Sequence, residues 1–331
     1  MQLKLVDSYH RQMGSMRVSV TDRCNFRCVY CMPEEGLNWF ESKKLLTFDE
    51  IERIVKIVVD MGVKEIRLTG GEPLVRKGLP KLIEKLSNIE GLEDLSLTTN
   101  GFLLREQAAD LVAAGLKRIN VSLDSMVREK FFKLVRRDAL HKVMEGLEEL
   151  EKYPELRPIK VNVVAMKGFN DDEVIDFAKL ARRKPYVIRF IEFMPLEADQ
   201  IWKREDVLTG KEIRERINTY KKLVPIGKED PSSTSKNYRF EDGIGEIGFI
   251  NPISEPFCAT CNRIRMTADG MFRTCLFSHV ETDLRTPLRN GASDEELRQI
   301  LLAAVKGKEL KHHINDSSFR RTARTMSQIG G

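Results

Sequence analysis

The chain is poor in aromatic side chains: phenylalanine, tyrosine and tryptophan make up 7% of its 331 residues, with only two tryptophans. A surface that stacks on unpaired bases needs such rings, so nucleic-acid reading is disfavoured. No run approaches the roughly 18 apolar residues that span a bilayer. The start, carrying Lys4, Asp7 and Arg11, lacks the apolar stretch of a secretory signal. An excess of one charge sign is also missing, with 55 Lys and Arg against 50 Asp and Glu. We therefore expect a cytoplasmic protein with no membrane and no nucleic-acid partner. Cysteines number six, too few to staple so long a chain by disulfides. They fall into two groups of three, a grouping that suits two metal centres.

What is present is an alternation of short β-rich and helical runs. Strands are expected at Arg17–Val20, Glu65–Thr69, Asp94–Thr98, Arg118–Leu123, Ile159–Val164 and Tyr186–Phe193. Helices are expected from a capping box at Thr47, and near Leu79–Ser87, Arg105–Ala114, His141–Lys152 and Asp171–Ala181. Repeated β-α units imply a parallel sheet with helices outside. The expected fold is α/β, an incomplete (β/α)6 barrel of the TIM type over residues 1–200. Residues 201–331 are read as a C-terminal α+β domain that binds the second metal centre and covers the open side. Within that part, Thr209–Glu212 opens a helix, Gly227 to Asn237 reads as a surface loop, and Tyr238–Glu241 and Glu246–Ile250 as strands. Ser293 caps a further helix. Strand parity places Arg17, Ser19 and Thr21 opposite Val18 and Val20. The same alternation sets Arg67, Ser96, Thr98, Asn120, Ser122, Lys160 and Asn162 on the polar face. With the apolar face given to the helices, the lumen is lined by hydroxyls, amides and cations. Such a lumen calls for a polyanion.

The first cysteine group reads C-N-F-R-C-V-Y-C from Cys24 to Cys31. Three thiols on one tight loop can converge on one centre, and a closed structural zinc site wants four ligands. An iron–sulfur cluster with one iron left open fits the spacing; a zinc knuckle completed by a distant residue is the alternative. This C-x3-C-x2-C triplet, with Tyr30 before its last cysteine, resembles the signature of the radical S-adenosylmethionine superfamily. The resemblance implies a [4Fe–4S] cluster on Cys24, Cys28 and Cys31 whose open iron binds S-adenosylmethionine. It also implies a 5′-deoxyadenosyl radical as the reactive species. The loop Thr69-Gly-Gly-Glu-Pro73 follows the second strand, on the side where barrel enzymes keep their sites. By the same resemblance Tyr30, Gly71, Ser122 and Met194 contact that cofactor.

The second group is C-x2-C-x13-C-x3-H: Cys258, Cys261, Cys275 and then His279. Read alone, it admits either a Cys3His zinc site or a second cluster with an open iron. Between its cysteines, Arg263 and Arg265 share one strand face. The segments V-S-V-T-D-R-C-N-F-R-C-V-Y-C-M-P, L-T-G-G-E-P, R-F-I-E-F-M-P and C-x2-C-N-R-I-R resemble the GTP 3′,8-cyclase family of molybdenum-cofactor biosynthesis. So does the ending Gly330-Gly331. The resemblance implies a second [4Fe–4S] cluster on Cys258, Cys261 and Cys275 that binds the guanine of GTP. Arg17, Arg67, Thr98, Lys160, Arg189, Arg263 and Arg265 would contact the nucleotide. Arg17, Arg263, Arg265, Gly330 and Gly331 would serve catalysis, the glycines inserting toward the lumen near Arg17. Hydrogen abstraction at C3′ and attack on C8 would give 3′,8-cyclo-7,8-dihydro-GTP. The implied partners are a one-electron reductant such as flavodoxin or ferredoxin, the pyranopterin monophosphate synthase that takes the product, and a second copy in a homodimer. Two positions depart from the family: Glu65, where relatives often carry a basic residue, and His10, where glycine is common.

Two rival readings remain at this level. A radical enzyme that modifies peptides would need more cysteines in its C-terminal part. A metal-stapled RNA-binding protein would use the basic clusters at Arg136–Arg137, Arg182–Lys184 and Arg320–Arg324. Anaerobic iron and sulfide analysis separates them. Two clusters give about eight of each per chain, whereas about four with one zinc assigns the second group to zinc.

Overall fold

A computed structural model describes residues 3–196, 202–227 and 232–331. The expected boundary between residues 200 and 201 lies partly outside these described residues, as does part of the loop expected at 227–237. The first half is a run of β-α units: β1 (Ser15–Ser19), α1 (Phe48–Asp60), β2 (Glu65–Thr69), α2 (Leu79–Ser87), β3 (Asp94–Thr99), α3 (Leu104–Ala113), β4 (Arg118–Ser122), α4 (Arg128–Val135), α5 (Leu140–Leu150), β5 (Ile159–Ala165), α6 (Val174–Arg183) and β6 (Tyr186–Glu192). The second half adds α7 (Gly210–Tyr220), β7 (Leu223–Pro225), β8 (Lys236–Phe240), β9 (Glu246–Ile250), β10 (Arg263–Met266), β11 (Met271–Arg273), β12 (Thr282–Asp283), α8 (Arg285–Arg289), α9 (Asp294–Lys306) and α10 (Met326–Ile329).

All twelve strands join one sheet in the order β12-β11-β10-β1-β2-β3-β4-β5-β6-β9-β8-β7. Strands β1 to β6 run parallel and in sequence. The second half does more than cover an open side: β10 pairs in parallel with β1, and β9 in parallel with β6. It thus extends the partial barrel at both edges, and antiparallel strands finish each end.

The alternation of side chains decides which face is core. Met16, Val18, Ile66, Leu68, Leu95, Leu97, Ile119, Val121, Val161 and Val163 are all fully or almost fully buried beneath the helices. Each helix supplies its apolar stripe: α1 buries Ile51, Ile54, Val55 and Val58, and Thr47 closes its capping box with Glu50. Capping boxes at Thr209 and Ser293 start α7 and α9 as their sequences require. Helix α4 has no such box and no clean period, and it was not expected from the sequence. The start of α6 differs too, because Asp171–Glu173 forms a 3₁₀ turn before the helix proper.

His10 takes a left-handed backbone with φ of 64°, the conformation in which glycine is favoured. Its turn is held by the Asp7 carboxylate, which accepts from the Tyr9 and Arg11 N–H groups, each at 2.9 Å. Among the described residues, no helix is long and apolar enough to cross a membrane.

Candidate active site between two cysteine loops

The strand register builds the polar face row by row. Arg17 stands beside Arg265 on one side and Arg67 on the other, and Arg67 beside Ser96. The row continues to Arg118; Thr98, Asn120 and Lys160 form the next, and Asn162 sits beside Arg189. Arg118 was overlooked in the sequence, although its parity with Asn120 and Ser122 puts it on this face. It pairs with Asp94, also on the face. The remaining cations are not answered in this way. Among the described residues no carboxylate side chain lies within ion-pair distance of Arg17, Arg67, Lys160, Arg189, Arg263 or Arg265, and the side chains of Arg17 and Lys160 make no hydrogen bond to them.

Crowding of buried like charges weakens their hold on protons. Burial, then Arg265, Arg67, Arg263 and Arg189, push Arg17 well below the usual guanidinium range. Burial and neighbouring arginines lower Arg67 to about 10, Arg189 to about 9 and Arg265 to about 9. Lys160, desolvated and facing Arg189, Arg118 and Arg67, falls to about 8. The polar groups among them are sparsely matched. Arg67 Nε donates to Ser96 Oγ at 3.3 Å, and Arg189 donates to Asn120 Oδ1. Arg189 Nε, Arg263 Nε and Asn162 Oδ1 are buried without a partner. Asn162 is a further candidate contact absent from the expected set.

The first cysteine loop leaves the C-terminal end of β1. Phe26, between Cys24 and Cys28, is the plug that fixes it, packed edge-on against Phe102 and Phe131 at 5.9 and 6.0 Å. The Arg27 and Val29 N–H groups donate to the Val135 and Leu134 carbonyls of α4. Arg136 braces the same loop through the Arg27 and Met32 carbonyls, and Arg137 donates to the Asn25 carbonyl at 3.1 Å. That basic cluster is therefore structural. Arg182 likewise pairs with Asp242, and Arg324 with Asp269 and Glu281.

Gly70 and Gly71 pass against the loop so closely that a Cβ at Gly71 would meet the Asp22 and Arg23 carbonyls at 2.5 Å. The Gly71 N–H donates to the Thr21 carbonyl at 2.8 Å. Glu72, not singled out in the sequence, is buried and accepts from Leu74 N, Asn100 N and Thr99 Oγ1, tying β2 to β3. Burial raises its carboxyl to about 7 against those three donors. Tyr30 donates to Asp124 at 2.5 Å, and Asp124 also accepts from Val164 N. The Tyr30 hydroxyl is thus committed within the protein, and Asp124 is its overlooked partner. Ser122 ends β4 half-buried, and Met194 follows β6 half-buried beside the Cys275 cluster.

The second cysteine loop lies at the opposite end of the strands. Cys258 and Cys261 precede Arg263, which is level with Ser15, whereas Cys24 follows the far end of β1. The strand between these levels spans about 13 Å. All six thiols are free and half-buried. Within each loop the thiols sense one another: after burial, Cys24 and Cys31 are the main groups raising Cys28. Burial opposes thiolate at Cys261 too, but Arg263 and Lys308 prevail and bring it to about 6. Among the described residues no three His, Cys, Asp or Glu side chains converge tightly enough for a single ion. His279 points elsewhere, its Nε2 bonded to the Arg320 carbonyl at 3.1 Å. The Cys3His zinc alternative therefore finds no support here.

The chain's final residues enter the same face. Arg265 Nη1 donates to the Gly330 carbonyl at 2.6 Å, and Thr69 Oγ1 to a terminal oxygen of Gly331 at 2.5 Å. Gly330 has φ of 87°, and a Cβ there would meet Ser19 Cβ at 2.7 Å. Burial pushes the Cys31 thiol up to about 11, and Ser327 of α10 acts against that rise from beside it, so α10 reaches the first cysteine loop.

The radical SAM superfamily pattern matches residues 18–181, and the molybdenum cofactor synthesis C-terminal pattern residues 186–314. The GTP 3′,8-cyclase of Thermodesulfovibrio yellowstonii is 46% identical over 327 residues, covering 98% of this chain and 99% of that one. The enzyme of the same name from Syntrophomonas wolfei is 43% identical over 327 residues, covering 99% and 100%. The fold is shared with Streptococcus suis SuiB, solved bound to S-adenosylmethionine, at a TM-score of 0.62 and 13% identity over 97% of this chain and 73% of that one. These matches run the length of the chain: it belongs to the GTP 3′,8-cyclase family of radical SAM enzymes.

Proposed function

We propose that this chain cyclises GTP, holding the nucleotide along the cationic face between two [4Fe–4S] clusters. The observation that carries this reading is the set Arg17, Arg67, Lys160, Arg189, Arg263 and Arg265, crowded on one face without carboxylate partners. A triphosphate supplies the missing negative charge, and guanidinium forks match phosphate oxygens in pairs. Cys24, Cys28 and Cys31 would hold the first cluster with S-adenosylmethionine beside Tyr30, Gly71, Ser122 and Met194. Cys258, Cys261 and Cys275 would hold the second, close to Arg263 and Arg265. When bound and reduced, the first cluster and S-adenosylmethionine supply the radical that removes the C3′ hydrogen, after which the ribose carbon closes on C8.

The protein's own part is placement. The strands fix the cations at known levels, so the triphosphate is drawn toward Lys160, Arg67 and Arg189. The ribose is left in reach of the first loop. Holding C3′ and C8 in contact converts ring closure into an oriented intramolecular step. Thr98 and Asn162 offer uncharged contacts on the same face. Arg265 and Thr69 pin the Gly330-Gly331 backbone beside Ser19, where it walls the cavity with no side chain. We also assign the two-part division near residue 200, a flavodoxin- or ferredoxin-type reductant, transfer to the pyranopterin monophosphate synthase, a homodimer and a cytoplasmic setting as parts of this reading.

The direct test is anaerobic turnover of GTP carrying deuterium at C3′. The label is expected in 5′-deoxyadenosine, with 3′,8-cyclo-7,8-dihydro-GTP formed in step; label-free 5′-deoxyadenosine would refute the assignment. Gly330→Val forces a side chain into Ser19 and a strained backbone. It is expected to lower turnover by about 100-fold with cluster content unchanged, and wild-type turnover would remove the tail from the mechanism. Lys160 gives a pH signature. Because burial and the arginines hold it near 8 in the free protein, raising the pH through 8 strips the proton that a triphosphate needs. Affinity for GTP, measured by calorimetry, should therefore fall above pH 8 in the wild type, and this part of the fall should vanish in Lys160→Met.

A further inference from the structure

Two buried cations grip the second cysteine loop from behind. Arg11 donates to the Cys258 carbonyl at 2.7 Å and to the Glu309 carbonyl at 2.7 Å, and it is paired with Asp7 at 2.5 Å. Lys308 differs. It is only 3% exposed, and no carboxylate among the described residues lies within ion-pair distance. Its ammonium donates to the Arg263 carbonyl at 2.9 Å and to the Thr274 carbonyl. Those two carbonyls bracket the metal loop: Arg263 follows Cys261 by two positions, and Thr274 immediately precedes Cys275.

A primary ammonium has three donors and the carbonyls use two. A buried ammonium without an anion is strongly unfavourable, so an anion is required nearby. Burial weakens the ammonium's hold on its proton, Arg11 and Arg263 add to that, and the negative charge that Cys261 and Cys275 carry as metal ligands is what opposes it. Arg263 already touches Cys261 Sγ at 3.4 Å, but it faces the lumen and is engaged with Phe257 at 4.8 Å. Lys308 approaches from the protein side, where a substrate does not reach.

We propose that Lys308 is the built-in counter-charge of the second thiolate set. It is a positioning residue that staples the Cys261 arm to the Cys275 arm and sets the reduction potential of the centre they hold. The proposal rests on the reading that this set holds a cluster. A fixed positive charge stabilises the more negative, reduced form of such a centre and so raises its potential. The carbonyl bonds hold the arms at the cluster's spacing, a supporting role of the kind that outer partners of metal ligands play.

Full-length wild type, Lys308→Met, Lys308→Gln and Lys308→Arg, reconstituted anaerobically, test this. Metal identity, release to a chelator and the midpoint potential of each centre are measured. Lys308→Met is expected to hold the second-set metal about 10–100-fold more weakly. Its second potential should move negative, and the first cluster should keep its iron and potential as the internal check on folding. Lys308→Gln keeps a donor without the charge and should share the potential shift; Lys308→Arg should stay close to wild type. Wild-type metal retention and potential in Lys308→Met, or equal metal loss from both sets, would overturn the proposal. Zinc in the wild-type second set would instead refute the cluster reading, and chelator release from the same variants would still decide the role of Lys308.

Discussion

Repulsion among Arg17, Arg67, Arg189, Arg263 and Arg265, with Lys160 close by, is the constraint the rest of the structure answers to. An ordinary barrel interior is filled by branched apolar side chains, and its stability follows from packing. Here the apolar side chains are spent wholly on the helix-facing surface, and the interior is left electrostatically unfinished. The cost is tolerable because the opposite face, from Met16 to Val163, is continuous and dry. The ligand-free protein stores an unmet demand for negative charge, and binding a polyanion satisfies it. Affinity, in this design, comes from relieving strain already present as well as from new contacts.

The two metal loops bound that cavity by different means. The first is gripped by aromatic packing around Phe26 and by the backbone of α4. The second is gripped by buried cations, Arg11 and Lys308, that reach carbonyls on both of its arms. The difference follows from position. The first loop sits at the C-terminal ends of the strands against neighbouring helices, whereas the second emerges at an edge beside a short hairpin and the segment after α9. The chain's end then ties the two together. Arg324 anchors on Asp269 at 2.9 Å and Gly330 on Arg265, with Ser327 beside Cys31.

Much of this was legible in the residues. Period-two alternation at Arg17-Val18-Ser19 and its counterparts named the polar face correctly, because a strand offers only two sides. Thr47, Thr209 and Ser293 announced their helices through capping boxes. The cysteine spacing and the Thr69–Pro73 loop pointed to the metal chemistry. What escaped was whatever depends on partners distant in sequence. Helix α4 is short, uncapped and carries an exposed Phe132, so nothing local marks it, yet it holds the first loop. Asp124 and Glu72 look like ordinary surface charges until the fold buries them, and Arg118 until the sheet sets it beside Ser96. That the second half would flank both sheet edges could not be read from two short β-like runs, since β-sheet pairing is settled by geometry rather than local pattern.

The pairing of β1 with β10 has a consequence for biogenesis. Ser15 pairs early with Glu65 on one edge but finds the neighbour for its other edge only at Arg263, so during synthesis the earliest strand carries one naked hydrogen-bonding edge while most of the chain is made. High contact order of this kind slows closure, and exposed edges invite misassociation. This side of the cavity can be sealed only after the late strand docks.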